Sequence, residues 1–461
     1  MTPERVAGLL EGWNRNGEGG LPHRLAVAIG RAVEIRLLPP GVRMPTERTL
    51  AELLAVSRST VAGAYDLLRS RDVLQSRQGS GTWVRDGRSS AAAVGSEFLD
   101  QALETGINLA ASVMPACALP AEAGLTIEDL MIAQPAHGYA PRGLPDLRAF
   151  CAGLHSRAGG PAIPADEIVI TTGATNALAL SLMALAQPGD SVLVDSPTYP
   201  GLLAICKALR LVPVPLPGDR YGPHRHGLRS ACAQRRPAAL VLQPAIANPT
   251  GRAIAAARLA GLRAIAADAS VPVIEDNSLA PLAFADSPRP MPAVGDGPGV
   301  SIGSFSKLLW GGLRIGWLQA RGEVLEKIAG LAGVLDIGIA VPSQHLVLAA
   351  APRFDNLLER RRAELRKRCR QAGSLLALHL PETRFAAPAG GLSLWLDTGL
   401  PDSGPFVRLA RRFGVAVLEG SLFRADGAPD GHLRLCFDRP EAVLETGIVR
   451  LGDAWRAYRE L

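Results

Sequence analysis

Lys307 is the side chain of this sequence whose type most directly suggests chemistry. Lys and Arg together number 49, yet only four of them are lysine: Lys207, Lys307, Lys327 and Lys367. An amine can lose its proton and act as a nucleophile, whereas a guanidinium stays charged. Lys307 stands in the stretch SFSKLLWGGLRIGW (304–317). A solvated surface lysine is the alternative, so the residues predicted to converge on Lys307 decide its role.

Polar residues and glycines follow several short apolar runs that have the composition of strands. The runs are IVITT (168–172), SVLVD (191–195), AALVL (238–242), VPVIE (271–275), VSIG (300–303) and RIGWL (314–318). TTGATN (171–176), NPTG (248–251), Asp276, Ser304 and Ser306 come after four of them. The carboxyl ends of strands form the ligand crevice of an open α/β sheet, so these residues are predicted to meet at Lys307.

The predicted cluster suits pyridoxal 5'-phosphate (PLP). Lys307 would form the Schiff base, and Asp276 would pair with the pyridinium nitrogen. Phosphate would bind at the N-terminus of the helix that TTGATN opens, because N–H groups point out of that end. Taken singly, each motif has an ordinary explanation, since an Asp after a strand often caps a helix and NPTG often forms a turn. The further residues predicted to bind the cofactor are Gly173, Ala174, Thr175, Ser304, Ser306 and Arg314.

The elements that must position these groups alternate between strand and helix patterns from about residue 105 onward. Such alternation predicts an α/β fold with a mostly parallel large sheet. From about residue 320 the pattern is more helical and includes a charged helix over 357–380. GLSLWLD (391–397) and HLRLCFD (432–438) then predict the strands of a smaller α+β lobe.

Composition limits the class of protein. The chain has 461 residues, with 48% hydrophobic and 20% charged residues, as expected for a globular protein of more than one domain. No apolar run reaches the roughly 18 residues of a membrane span, and the N-terminus has no signal-peptide pattern. The six cysteines form no CxxC and no metal spacing, so free thiols in a reducing cytoplasm and no metal site are expected.

The first 86 residues predict a winged helix-turn-helix domain with its core at 21–85. Residues 21–88 contain 11 Arg and 6 acidic residues, a bias expected at a nucleic-acid surface. Thr46 is predicted to cap a helix with Leu50, Leu53 and Leu54 inward. Ser57 is predicted to cap a second helix, with Val61, Ala64, Tyr65 and Leu68 inward and Arg58, Ser59 and Thr60 outward toward DNA. SRQGSGTWV would form the wing, and a three-helix bundle with a hairpin is the alternative.

RMPTERTLAELLAVSRSTVAGAYDLL and GSGTWV resemble the DNA-binding domain of the GntR family over about 65 residues. In that family arginines contact phosphates and guanines, and the wing reaches the minor groove. The resemblance implies contacts with double-stranded operator DNA. The residues implied are Arg43, Arg48, Ser57, Arg58, Thr60, Gly79 and Gly81, and Ser59 is assigned to DNA from its predicted outward place on the second helix.

Residues 105–461 resemble a fold type I aminotransferase. The resemblance implies that Asn248 contacts the ring hydroxyl of PLP, Asp276 the ring nitrogen, and that Tyr199 lies against the ring. Tyr139 in GYAPRGLPDLR matches a tyrosine that reaches the phosphate of the neighbouring subunit's cofactor, which implies a head-to-tail homodimer. Arg434 in HLRLCF matches the arginine that binds an amino acid's α-carboxylate, and a surface charge is the alternative.

The two resemblances, joined by a linker at 87–104, are together similar to the MocR subfamily of GntR regulators. They imply a PLP-dependent transcription regulator that senses an amino acid or PLP through Lys307. An active aminotransferase with a tethered DNA-binding domain is the competing hypothesis, and a sensor of PLP alone is a third. Many aminotransferases have a Tyr two or three residues after the pyridinium Asp, but this chain reads Asp276-Asn277-Ser278-Leu279. Inefficient transamination is therefore expected.

Overall fold

The computed structural model describes residues 1–10, 13–14, 20–34, 37–39, 41–70, 73–77, 81–84, 106–114, 137–157, 162–284 and 299–460. The α-helices are α1 (Pro3–Gly8), α2 (Leu21–Glu34), α3 (Glu47–Leu54), α4 (Arg58–Ser70), α5 (Pro145–Arg157), α6 (Ala174–Leu185), α7 (Pro200–Ala208), α8 (Arg225–Arg235), α9 (Ala256–Asp268), α10 (Gly322–Leu335), α11 (Val341–Ala350), α12 (Phe354–His379), α13 (Gly404–Arg412) and α14 (Glu441–Arg459). The strands are β1 (Leu74–Arg77), β2 (Gly81–Val84), β3 (Ile107–Asn108), β4 (Ile168–Thr171), β5 (Ser191–Asp195), β6 (Val212–Leu216), β7 (Gly218–Asp219), β8 (Gly222–Pro223), β9 (Ala239–Leu242), β10 (Val273–Asp276), β11 (Gly299–Ser304), β12 (Gly316–Gln319), β13 (Ser393–Asp397), β14 (Val415–Ala416), β15 (Leu418–Glu419) and β16 (His432–Cys436). The predicted linker at 87–104 lies outside the described residues.

Hydroxyl caps begin α3 and α4 where the sequence predicts them. The Thr46 hydroxyl accepts from the backbone N–H of Thr49 (3.2 Å), and the Ser57 hydroxyl accepts from that of Thr60 (3.1 Å). Each cap satisfies an N–H group that has no acceptor within its helix. The buried Tyr65 hydroxyl donates to the Pro45 carbonyl (2.9 Å) and so ties α4 to the chain before α3.

The predicted inward face of α4 is confirmed, but that of α3 is wrong at one position. Leu53 is 41% exposed, whereas Leu50 and Ala51 are buried. The buried side of α3 centres between Leu50 and Ala51, and Leu53 projects about 110° away from that direction around the helix axis. β1 and β2 pair antiparallel, with Leu74 opposite Val84, and form the predicted wing.

The large sheet has seven strands in the order β4-β12-β11-β10-β9-β5-β6. Only β12 runs antiparallel to its neighbours β11 and β4. Buried strands at the centre explain the continuous apolar runs in the sequence, because helices cover both faces of such a sheet. The mostly parallel large sheet is confirmed. The predicted strand at 314–318 instead begins at Gly316, because Gly311–Leu313 form a 3-10 turn and Arg314 adopts a left-handed φ of 52°.

The smaller lobe contains the antiparallel sheet β13-β16-β15 together with α13 and α14. Residues 106–114, which we call the strap, begin as β3 and pair in parallel with β14 of this lobe. The strap then crosses toward the carboxyl ends of the large sheet, where Ser112 meets Lys307.

Two further expectations from the sequence concern membrane-spanning segments and the cysteines. In the part of the chain that the structure describes, no helix is both long and apolar enough to cross a lipid bilayer. The five cysteines within the described ranges are free thiols, as predicted from their spacing. Cys117 lies outside those ranges.

Candidate functional site

A cavity of about 280 Å³ lies where the carboxyl ends of the strands face the strap and the smaller lobe. It brings together nearly all the residues that the sequence assigns to one site. Those that line it are Ala174, Thr175, Tyr199, Asn248, Asp276, Ser304, Ser306, Lys307, Arg314 and Arg434. The predicted crevice at the strand ends is therefore present.

Lys307 follows β11, and its ammonium group donates a hydrogen bond to the carbonyl of Ser112 in the strap. Burial lowers the pKa of Lys307, Asp438 and Cys436 raise it, and Arg434 and Arg314 lower it. Burial acts most strongly, so the amine loses its proton more readily than an exposed lysine does. A neutral amine is the form that attacks a carbonyl.

Asp276 ends β10 and is held by two N–H donors. The side chain of Gln243 donates to Oδ2 (2.9 Å), and the backbone N–H of Ser278 donates to Oδ1 (3.0 Å). The carbonyl oxygen of Gln243 also accepts from the backbone N–H of Asn248 (2.9 Å). The side chain of Gln243 thus holds the carboxylate of Asp276 and the backbone of Asn248, two of the residues predicted to contact the cofactor ring. Sequence reasoning missed it, although it is the first polar residue after β9, at the edge where ligands bind.

The predicted phosphate site lies at the start of α6. Gly173 precedes this helix with a φ of 118°, and no side chain caps the helix there. A Cβ atom at Gly173 would lie 3.2 Å from the guanidinium of Arg314, so only glycine leaves this cradle open. The buried Ser304 hydroxyl accepts from the backbone N–H of Ser306 (3.2 Å).

Arg434 is buried on β16 and faces the cavity from the smaller lobe. Its Nη1 donates to Oδ1 of Asn248 (3.0 Å), and its Nη2 donates to the carbonyl of Ala110 in the strap (2.6 Å). The Phe423 ring lies 5.1 Å from the guanidinium and supports it by a cation–π contact. The alternative that Arg434 is an exposed surface charge is wrong.

The strap is held by a second arginine that the sequence analysis did not identify. Arg439 donates from Nε to the carbonyl of Asn108 (2.8 Å), from Nη1 to that of Val113 (3.1 Å) and from Nη2 to that of Ala111. Asp438, which is fully buried, accepts from Nη1 of Arg439 (2.9 Å). Burial raises the pKa of Asp438, and Arg439, Lys307 and Arg434 lower it.

The two predicted tyrosines differ in position. Tyr199 lines the cavity, and its ring packs on Gly201, where a Cβ atom would lie 2.3 Å from the ring. Tyr139 is 58% exposed and does not line the cavity of its own chain. An exposed aromatic residue at this place is what the predicted contact with a neighbouring subunit requires.

The N-terminal unit presents basic and hydroxyl side chains around the start of α4. Arg58 is exposed and pairs with Glu47 (3.2 Å), and exposed Arg48 pairs with Glu52 (3.0 Å). Exposed pairs of this kind are weak, so a phosphate group can take over either arginine. The side chains of Ser57 and Ser59 are exposed beside Arg58.

Thr60, by contrast, does not point outward as predicted. It is only 7% exposed, and its hydroxyl lies 2.8 Å from that of Ser57. The side chain closes the N-terminal cap of α4, so its outward assignment is wrong.

The structure describes part of the wing, residues 73–77 and 81–84. Arg43 is exposed and lies 5.9 Å from the centre of the Trp83 ring. Gly81 has a φ of 107°, and a Cβ there would lie 3.1 Å from Nε of Arg43. Gly79 lies outside the described residues. Arg43 therefore presents its exposed guanidinium beside β2 of the wing.

Two protein families match the chain. The family aminotransferase class I and II matches residues 104–451, and the family of bacterial regulatory proteins, gntR family, matches residues 24–84. The chain is 30% identical to 2-aminoadipate transaminase of Thermus thermophilus over 71% of this chain and 82% of that enzyme. It is 27% identical to the HTH-type pyridoxine biosynthesis transcriptional regulator PdxR of Corynebacterium glutamicum over 94% of this chain and 96% of that regulator. LysN, the alpha-aminoadipate aminotransferase of Thermus thermophilus, has a solved structure that matches with a TM-score of 0.72 and 25% identity, over 80% of this chain and 97% of that one.

Proposed function

We propose that this chain, which belongs to the aminotransferase class I and II family and matches the gntR family at residues 24–84, is a regulator of the MocR subfamily. It would control transcription in response to an amino acid or PLP bound at Lys307. One observation carries the proposal. A single chain combines a helix-turn-helix unit that exposes Arg58 with a cavity that contains Lys307, Asp276 and Arg434. Similarity to PdxR extends over both parts.

The residues of the cavity fit PLP. When bound, PLP supplies a carbonyl that condenses with a lysine amine to a Schiff base and a ring that withdraws electrons. Lys307 supplies the amine, and Asp276, held by Gln243, supplies a carboxylate for the ring nitrogen. The cradle at Gly173, which Arg314 borders, would accept the phosphate, and Ser304 lines the same cavity. LysN is a relative solved with N-(5'-phosphopyridoxyl)-L-leucine.

The effector's carboxylate would bind to Arg434. Both of its terminal nitrogens donate to neutral oxygens, those of Asn248 and Ala110. A carboxylate binds a guanidinium more strongly than a neutral carbonyl does, because its negative charge strengthens both hydrogen bonds. Effector binding would therefore loosen the contact between Arg434 and the strap.

The DNA-binding unit would contact operator DNA through Arg43, Arg48, Arg58, Ser57 and Ser59. A homodimer in the cytoplasm, in which Tyr139 of each chain reaches the other's cofactor, would present two such units to two half-sites. Phosphate contacts would make the affinity fall steeply as the salt concentration rises.

The first test is the visible absorbance of the purified protein after addition of PLP. Wild type should develop a lasting absorption band, and Lys307→Ala should not. Lys207→Ala is the matched control, since Lys207 is exposed on α7. A band that persists in Lys307→Ala, or that never forms in wild type, would exclude the proposed role of Lys307.

The second candidate function is an active aminotransferase, which the 30% identity to 2-aminoadipate transaminase favours. Adding amino acids one at a time separates the two functions. A regulator should show an absorbance change that stays, whereas an enzyme should lose the band and regain it when a keto acid is added. If PLP alone is sensed, Arg434→Ala should respond like wild type.

DNA binding is tested with duplexes selected from a random-sequence pool by the PLP-loaded protein. The selected duplex should bind more tightly or more weakly when the effector is added, and this change should be absent in Lys307→Ala. An affinity that no ligand alters would leave the chain a DNA-binding protein without a sensor.

A further inference from the structure

The charged groups of the cavity number four among the described residues: Asp276, Lys307, Arg314 and Arg434. Three of them belong to the proposed cofactor contacts at the ring nitrogen, the carbonyl and the phosphate. Arg434 is the remaining one and is assigned to the α-carboxylate of an effector. The described lining therefore contains no further charge that could pair with a charged effector side chain.

Thr175, Tyr199, Gln243 and Asn248 are polar lining residues already assigned to the cofactor or to its contacts, and the rest of the described lining is apolar or small. The strap contributes Ala110, Ala111 and Val113, and Ile246 and Gly391 form another part of the wall. Gly391 has a φ of 87°, and a Cβ atom there would lie 3.0 Å from Ile246, so this wall is already in close contact. Hydroxyl groups from Ser112, Ser278 and Ser393 complete the wall.

The space is also small. Ligand pockets commonly have about 300–1,000 Å³, whereas this cavity has about 280 Å³ and must contain PLP as well. Within the cavity of one chain, PLP would leave little of this volume for a side chain beyond the α-carbon of an effector. Among the described lining residues a charged effector side chain would also find no partner of opposite charge, and burying an unpaired charge costs free energy.

We infer that the effector is a small, uncharged α-amino acid, such as glycine, alanine or serine. This inference rests on the proposed function, because it assumes PLP at Lys307 and a carboxylate at Arg434. It separates this chain from its relative named for 2-aminoadipate, a substrate with a second carboxylate.

The experiment titrates PLP-loaded full-length protein with glycine, alanine, serine, aspartate, glutamate, 2-aminoadipate and lysine. The readouts are the visible absorbance and the midpoint of thermal unfolding. Each neutral amino acid of the set should bind at least about tenfold more tightly than each charged one. Equal or tighter binding of aspartate, glutamate, 2-aminoadipate or lysine would overturn the inference while leaving the proposed sensor intact.

A gain-of-function variant tests the same point from the other side. Val113 lines the cavity and is 46% exposed, so Val113→Arg can present a cation at the mouth without burying it. This variant should bind glutamate at least about tenfold more tightly than wild type does, and Val113→Gln, of similar length but uncharged, should not.

If no amino acid changes the absorbance of PLP-loaded wild type, both the inference and amino-acid sensing fail. Absence of PLP binding would refute the proposed function and, with it, the inference.

Discussion

The pKa of Lys307 depends on a carboxylate that lies far from it in the sequence. Asp438 lies 131 positions further along the chain, yet it raises the pKa of Lys307 against the lowering effect of burial. These two opposing influences, together with those of Cys436, Arg434 and Arg314, set the fraction of neutral amine at a given pH. Asp438 is fully buried and bound by Arg439, so its position is fixed.

Asp438→Asn should therefore lower the pKa of Lys307 further. The amine would lose its proton at a lower pH, so PLP should attach at a given rate at a lower pH than in wild type. The measurement is the rate of absorbance increase on adding PLP across a pH series. Asp426→Asn, in the exposed ion pair with Arg424, is the control and should leave the profile unchanged.

Gln243 supports a second prediction at this scale. Gln243→Leu removes the donor to Asp276 and the acceptor for Asn248, and it leaves a buried carboxylate oxygen with one partner fewer. The free energy of unfolding should fall by about 1–3 kcal/mol, and PLP should bind more weakly. Chemical denaturation and absorbance titration measure the two effects, and Gln234→Leu on exposed α8 is the control.

At the scale of elements, the first turn of α4 contains two residues with different roles. Arg58 and Thr60 were both predicted from the sequence to face DNA, but only Arg58 is exposed. Arg58→Ala should weaken binding to the selected duplex and reduce the slope of log affinity against log salt by about one, because one phosphate contact is lost. Thr60→Val should leave that slope unchanged, because Thr60 is buried at the cap. It should instead lower the stability of the unit by about 1 kcal/mol. An unchanged slope in Arg58→Ala would remove Arg58 from the DNA contacts.

Several elements could be predicted because local rules determine them. The caps at Thr46 and Ser57 and the strand ends at Asp276 and Ser304 follow from residue types that have few alternatives at such positions. Arg439 could not be found in this way. Its partners are carbonyl groups of residues 108–113, more than 320 positions earlier, and a backbone carbonyl has no signature in a sequence.

The antiparallel direction of β12 was equally inaccessible. RIGWL has the apolar composition of any buried strand, and composition does not indicate direction. The turn that reverses the chain depends on Arg314 in a left-handed conformation, for which arginine shows no preference.

At the scale of the whole molecule, the proposed dimer shares its two sites between chains. On the proposed function, Lys307→Ala chains should not attach PLP covalently, and Tyr139→Phe chains should hold it weakly. A mixed dimer of the two variants should recover one complete site, since the Lys307→Ala chain supplies Tyr139 to its partner. Co-expression with two affinity tags isolates this species, and its absorbance per dimer should be about half that of wild type. Absorbance no higher than that of the Tyr139→Phe protein would place Tyr139 outside the partner's site.

The hydrogen bond from Arg434 to Ala110 has a thermodynamic consequence. The proposed effector carboxylate would compete with the strap for one guanidinium. The strap also lies next in sequence to the residues that join it to the DNA-binding unit. If effector binding shifts operator affinity by some factor, operator binding must shift effector affinity by the same factor. Operator DNA is then itself a ligand that changes the amino-acid concentration at which the effector site is half occupied. A chain bound to its operator and a free chain would therefore respond to different concentrations of the amino acid.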